Sequence, residues 1–184
     1  LQGPKTIICL LYLWKSNVKI VISDVDGTVT SSDVLGQVLP SIGKDWTHPG
    51  LARLYQEIAS KGVEFLYMSS RPIGEANYTR NYLLKVDQGG VKLPDGPLIT
   101  CPDKLFPALT REVIKRQPHL FKIPTIAKLV KLFDPLPVPF VFGFGNRNTD
   151  VISYAENGIP RDCIYLFDKQ HRVLDCNGTV LYKS

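Results

Sequence analysis

Asp24 and Asp26 are the residues of this chain best suited to do chemistry. They stand two apart in Asp24-Val25-Asp26-Gly27-Thr28, directly after the largely apolar run Val18 to Ser23. Side chains two apart on a strand share a face, so both carboxylates are expected to converge where a buried strand gives way to a glycine turn. Paired carboxylates in one small volume repel unless a cation or a proton intervenes. Hard oxygen donors with few imidazoles nearby favour Mg²⁺ over zinc, and Mg²⁺ keeps waters and substrate phosphate oxygens in its shell. Phosphoryl transfer is the first reaction this pattern suggests. The plainer alternative is a strand closed by an ordinary Asp-Gly turn.

The elements that would position these carboxylates alternate between strand and helix. Leu51, Leu54, Tyr55 and Ile58 share a helical face in 51–59, and Gly62 is a suitable C-terminal stop. Val63 to Ser69 reads as a strand, followed by a helix begun near Pro72 with Ala76, Thr79, Tyr82 and Leu83 at helical spacing. Pro and Gly punctuate 87–107 around a short strand at Pro97 to Thr100, and Leu105 to Ile114 and Ile123 to Phe133 read as helices. Phe140 to Phe144 is expected as a strand, Thr149 to Asn157 as a helix ended by Gly158, and Cys163 to Phe167 as the last core strand. This alternation predicts an α/β fold, a doubly wound parallel sheet with helices on both faces. In such sheets ligands gather beyond the carboxyl ends of the strands.

Four strand or helix ends then bring polar groups to one rim. The first carries Asp24 and Asp26. The second is Ser69-Ser70-Arg71, where a hydroxyl and free N–H groups suit an anion, although a plain helix cap would use Ser69 as well. The third is Lys122, expected just before a helix, where the positive helix end disfavours a cation unless an anion faces it. The fourth is Gly143-Phe144-Gly145-Asn146-Arg147-Asn148-Thr149-Asp150, whose glycines allow close backbone approach while Asn146 and Asp150 bring oxygens toward a metal.

Composition narrows the partners. The chain has 184 residues, enough for one domain with a full core, and 22 basic against 17 acidic residues give a formal charge of +5. That balance mildly favours anionic partners, but no block of like charge or basic stripe with interleaved aromatics supports a nucleic-acid surface. Cys9, Cys101, Cys163 and Cys176 lack the spacing of a zinc or redox site and read as reduced thiols of a cytosolic or nuclear protein. The apolar run Ile7 to Trp14 is too short to span a bilayer and reads as a buried strand. The opening Leu1 suggests a fragment of a longer protein. Asn77-Tyr78-Thr79 and Asn177-Gly178-Thr179 match the glycosylation pattern and are read as chance matches.

The ordered series of rim motifs resembles the haloacid dehalogenase superfamily of phosphohydrolases. A closer resemblance is carried by Ser31-Ser32-Asp33-Val34-Leu35-Gly36, Gly43-Lys44-Asp45-Trp46-Thr47-His48, Phe65 to Gly74, Thr79-Arg80, Arg111-Glu112-Val113-Ile114 and Phe144-Gly145-Asn146-Arg147. These are similar to the catalytic region of lipin-type phosphatidate phosphatases, from about Thr6 to Val173. The resemblance implies a Mg²⁺-dependent hydrolysis of phosphatidic acid to diacylglycerol at a membrane surface, in glycerolipid synthesis. It casts Asp24 as nucleophile and Asp26 as acid and base, with Asp24, Asp26 and Asn146 holding the metal. Thr28, Ser69 and Lys122 would meet the phosphate, supported by Asp150, Arg71 and Arg80. Asn146 stands where many superfamily members carry Asp.

The resemblance also implies a domain plan. Residues 1–17 would be a strand of a split immunoglobulin-like domain completed by an N-terminal segment, and 18–173 the catalytic domain with little or no cap; the tail 174–184 reads from Asn177-Gly178 as a hairpin and does not resemble the family's own C-terminus. A cytoplasmic protein peripheral on endoplasmic reticulum or nuclear membrane is implied. Leu35-Gly36-Gln37-Val38-Leu39 approximates the coactivator motif of animal lipins, with Val38 in place of Ile, and an amphipathic turn explains it equally well. Two other readings stand beside the phosphatase. One is a silent phosphatidate-binding module, against which Asp24 argues; the other is a phosphatase for a soluble phosphoester, which needs a larger cap than 28–63 offers.

Overall fold

The computed structural model describes residues 9–31, 47–102 and 117–183. In chain order the strands are β1 (Ile20–Asp24), β2 (Glu64–Pro72), β3 (Asp87–Gln88), β4 (Val91–Lys92), β5 (Leu98–Cys101), β6 (Phe140–Gly145), β7 (Ile164–Phe167), β8 (Arg172–Asp175) and β9 (Val180–Lys183). The helices are α1 (Leu51–Ala59), α2 (Ala76–Lys85), α3 (His119–Lys131) and α4 (Asn148–Ala155). Every residue of β1 is buried, as a strand covered on both faces requires. Its alternate side chains divide the core. Ile20 and Ile22 join Leu66, Met68, Phe121, Ile126, Val151 and Tyr154 on the side of α3 and α4. Val21 joins Phe65, Tyr67, Leu51, Tyr55 and Leu83 on the side of α1 and α2.

The main sheet runs β5-β2-β1-β6-β7-β8-β9. Its first five strands are parallel, while β8 and β9 add in antiparallel fashion. The expected parallel sheet is therefore a mixed one, because the C-terminal hairpin does not hang free as a tail but extends the sheet from Arg172 onward. Asp24 lies opposite Met68 on one side and one residue past the Ser23–Phe144 pair on the other. Ser69 directly follows Met68, while Asp26 and Asn146 stand two residues past Asp24 and Phe144, so the register gathers all three at one edge.

Three boundaries differ from expectation. β2 continues to Pro72, and α2 starts only after a short 3₁₀ turn at Ile73–Glu75, because Pro72 keeps an extended backbone. Pro124 suggested a helix start at Ile123, since proline favours the first helical position. Instead α3 begins a turn earlier at His119, with Pro124 inside it. The run expected as a buried N-terminal strand has no strand in residues 9–14, and Leu11 and Leu13 are 90% and 92% exposed. The remainder of that run, the helix expected at 105–114, the Arg111 to Ile114 and Gly43 to Trp46 motifs and the Leu35 to Leu39 turn lie outside the described residues. No described helix is long and apolar enough to cross a membrane.

Candidate active site

Asp24 ends β1 with its side chain sealed in, and each of its oxygens is met by a donor. Lys122 Nζ lies 2.6 Å from Oδ1, and Thr28 Oγ1 donates to Oδ2 at 3.1 Å. The backbone carbonyl of Asp24 is also held. Ser23 Oγ donates to it at 2.8 Å and in turn accepts from the Tyr55 hydroxyl at 2.8 Å, so a buried tyrosine of α1 fixes the strand end. Lys122 is itself buried and gives a second hydrogen bond, 2.6 Å, to Asp150 Oδ1. It lies inside the first turn of α3 rather than before the helix, and two carboxylates compensate the unfavourable positive helix end. An ammonium has three N–H groups, so one remains for an incoming anion.

The electrostatics follow from two carboxylates sharing one buried ammonium. Burial pushes the Asp24 carboxyl up, to about 7, against the pull of Lys122 and with repulsion from Asp150 and Asp26 adding to the rise. Burial disfavours the Lys122 ammonium, yet Asp150 and Asp24 outweigh that and hold the amine above its ordinary value. Asp24 therefore binds a proton more tightly folded than unfolded, so its contribution to stability is present below its ordinary value of 3.8 and is lost as pH rises through about 7. In metal-free buffer the melting temperature of the wild type, relative to Asp24→Asn, is expected to fall between mildly acidic and neutral pH. A difference that stays flat across that range would show that Asp24 is already ionised.

Asp26 does not share donors with Asp24. Its Oδ1 accepts from Arg71 Nε at 2.9 Å and from Arg71 Nη2, and its Oδ2 accepts from Ser69 Oγ at 2.8 Å. Arg71 is buried, and its Nη1 reaches Thr79 Oγ1 at 3.4 Å while Tyr78 stacks near its guanidinium carbon. So the extension of β2 past Ser69 has a purpose visible in the geometry: it carries Arg71 to the second carboxylate. Arg80, expected beside the site, reaches Asn77 on its own helix at 3.3 Å, and no described contact joins it to the carboxylates.

Asp150 organises the last rim segment. Its Oδ2 accepts the N–H groups of Asn146 and Arg147 at 3.0 and 3.1 Å, while its Oδ1 faces Lys122. Two glycines make this close packing feasible. A Cβ at Gly145 would come within 2.4 Å of the Asp150 Cβ, and one at Gly143 within 2.5 Å of the Tyr154 ring. Asn146 follows β6 one residue beyond the level of Asp24, so Asp24, Asp26, Thr28, Ser69, Lys122, Asn146, Asp150 and Arg71 share one edge.

The donor set suits a hard cation. It offers carboxylate and amide oxygens, and a carboxylate that accepts two hydrogen bonds retains further lone pairs. Among the described residues no group of three or more His, Cys, Asp and Glu could hold a metal by itself. Mg²⁺ takes few protein ligands and completes its shell with water and phosphate oxygen, so it does not require such a group. Sequence reasoning missed Tyr55, Ser23, His48 and His171 around this edge. His48 entered only as the last residue of the Gly43 to His48 motif, although the chain has just 3 histidines and two of them meet here.

A family model described as LNS2 (Lipin/Ned1/Smp2) matches residues 1–184, including the hairpin expected to depart from the family. The chain is 48% identical over 171 residues to "Phosphatidate phosphatase PAH1" of Arabidopsis thaliana, covering 93% of this chain and 19% of that protein. It is 52% identical over 162 residues to "Phosphatidate phosphatase LPIN2" of Homo sapiens, covering 88% of this chain and 18% of that one. "Nuclear elongation and deformation protein 1" of Schizosaccharomyces pombe is 47% identical over 165 residues, covering 89% and 25%. The chain thus spans about a fifth of the first curated relatives it matches. The solved structure "Structure of the Pnkp1/Rnl/Hen1 RNA repair complex" shares the fold at a TM-score of 0.51 and 19% identity, over 90% of this chain and 47% of that one.

Proposed function

The chain belongs to the LNS2 (Lipin/Ned1/Smp2) family, and from that membership we propose that it is the catalytic region of a Mg²⁺-dependent phosphatidate phosphatase. The reaction would hydrolyse phosphatidic acid to diacylglycerol and phosphate. The observation that carries the reading is the buried Asp24 held by Lys122 and Thr28 at the carboxyl edge of a parallel sheet. A buried carboxylate under that much desolvation is a functional-site candidate in its own right. We read the core as a haloacid dehalogenase fold and residues 18–173 as its catalytic domain. Residues 1–17 would belong to an immunoglobulin-like domain completed by an N-terminal segment.

In this reading an Asp24 oxygen attacks phosphorus and forms an aspartyl-phosphate, dividing one hard displacement into two easier ones. Lys122 and Thr28 hold the carboxylate in place, and the third Lys122 N–H meets a phosphate oxygen as negative charge shifts outward. Asp26 gives a proton to the departing glycerol oxygen and then takes one from the attacking water, a role worth about 10²–10⁴-fold. Arg71 and Ser69 occupy both Asp26 oxygens. Turning Arg71 toward a phosphate oxygen would free Asp26 for proton transfer and couple the acid's release to substrate binding. Asp24, the Asp26 backbone carbonyl and Asn146 would hold Mg²⁺. Bound there, Mg²⁺ would offset the negative charge that otherwise keeps a phosphate from approaching two aspartates.

We place the protein at the cytoplasmic surface of endoplasmic reticulum or nuclear membrane, in glycerolipid and triacylglycerol synthesis, and a direct nucleic-acid partner is not proposed. The experiment is phosphate release from phosphatidate in mixed micelles, with Mg²⁺ and with chelator, beside a soluble phosphomonoester. Release that needs Mg²⁺ and prefers the lipid is expected. Equal turnover of the soluble ester would favour the soluble-substrate enzyme, and saturable phosphatidate binding without turnover would favour the binding module.

A further inference from the structure

His48 and His171 form a contact that nothing in the phosphatase chemistry above uses. His48 is 2% exposed, and its Nδ1 lies 2.9 Å from Nδ1 of His171, the rings meeting nearly edge to face with centroids 4.9 Å apart. Its Nε2 points at the backbone carbonyl of Gly27, 3.4 Å away, and its ring packs on Phe167 at 5.3 Å. A carbonyl oxygen can only accept, so the His48 proton sits on Nε2. Burial holds the His48 imidazole below its ordinary value, which favours the neutral ring, and with its proton on Nε2 the Nδ1 accepts. His171 must then donate from its own Nδ1. Both tautomers follow from one carbonyl.

The backbones on both sides are pinned. The His48 N–H bonds to the Val29 carbonyl at 3.2 Å, its carbonyl accepts Gln88 Nε2 at 2.8 Å, and Thr47 bridges Thr30. His171 has φ +60, the one positive value for a residue other than glycine among the described residues. That conformation is uncommon outside glycine, although histidine adopts it more readily than most residues, and it is kept where the surroundings over-determine it. Here the turn is locked by Asp168, whose Oδ1 accepts the N–H groups of Gln170 and Arg172, both at 2.9 Å. The result is a rigid line from the β7–β8 turn to Gly27, the residue between Asp26 and Thr28.

We infer that His48 is a positioning residue for the Asp26-Gly27-Thr28 loop, with His171 setting its tautomer. The inference rests on the phosphatase reading for its kinetic consequences, but not for its structural ones. Small misplacements of reacting groups lower turnover sharply. His48→Phe keeps the ring packing and removes the N–H to Gly27, and it is expected to lower kcat about tenfold with KM little changed. His48→Gln, which can present an N–H at the Nε2 position, is expected to restore most of the rate. His171→Gly relieves the positive φ, so it folds while freeing the His48 tautomer, and a smaller kcat loss is expected.

Amide exchange and ¹⁵N spectra of the metal-free chain separate the two claims. The expected spectra show His48 protonated on Nε2 and His171 on Nδ1. The Gly27 and Thr28 amides should exchange faster in His48→Phe, but not in His48→Gln, while β1 amides stay protected. If wild type turns over phosphatidate and His48→Phe matches its kcat, the inference falls and the phosphatase reading stands. If wild type turns over no phosphate ester, the phosphatase reading falls, and unchanged Gly27 exchange in His48→Phe would overturn the strut as well.

Discussion

Asp24→Asn is expected to reduce phosphate release from phosphatidate by at least about 10³-fold while leaving the protein folded and as stable as wild type or more so. The activity loss follows from removing the attacking oxygen, since a catalytic nucleophile acts as part of a unit and its loss alone takes away most of the acceleration. Retained stability follows from the burial of Asp24. Asp24 is 4% exposed and shares one ammonium with Asp150, so its ionised form is disfavoured by desolvation and repulsion. An amide of nearly the same shape still accepts at one atom and no longer carries the buried charge. Opposite signs in the two measurements, initial rate and thermal midpoint, separate a lost nucleophile from a damaged fold. A variant that loses both together would mean that Asp24 is chiefly structural.

Lys122→Met is expected to be damaging to stability and activity alike. It leaves the Asp24 and Asp150 carboxylates buried without their shared cation, and breaking a buried pair by removing one partner costs about 3–5 kcal/mol. For a chain of 184 residues that is a fall in melting temperature on the order of 10 °C. The bonds lost are both 2.6 Å long and join α3 to β1 and to α4, so two elements are loosened from the central strand. The double variant Asp24→Asn with Lys122→Met is expected to recover part of the loss, because one of the two stranded charges is gone. Urea unfolding of wild type, both single variants and the double closes that cycle. Strict additivity would show that Lys122 and Asp24 do not interact appreciably in solution.

Much of this site was legible in the sequence because the sheet does the gathering. Asp24 and Lys122 are 98 residues apart, yet each stands near the end of an element whose direction a parallel sheet dictates. The glycines at 143 and 145 flagged a close approach, and the structure shows what approaches: the Tyr154 ring and the Asp150 side chain. Strand alternation did not reveal that Asp24 and Asp26 take different donors. Asp26 lies past the end of β1, in the turn, where strand alternation no longer directs its side chain, and Arg71 and Ser69 capture it instead. The N-terminal run misled for a different reason. Its hydrophobicity reads as a core strand, but neither edge of the described sheet, β5 or β9, pairs with it. The Asn177-Gly178 signal correctly placed a hairpin, while its docking onto β7 depends on tertiary pairing that no local pattern encodes. The Tyr55–Ser23–Asp24 chain and the His48–His171 pair join distant segments through single polar atoms, which periodicity cannot register.

The most direct measurement is a rapid acid quench of the chain with phosphatidate carrying labelled phosphorus, in mixed micelles with Mg²⁺, followed by mapping of protein-bound label. Covalent phosphate on the peptide containing Asp24, labile to base and absent from Asp24→Asn, is the expected result. Phosphate release by Asp24→Asn at a rate comparable to wild type, with no label on that peptide in either protein, would contradict the assignment of Asp24 as the nucleophile.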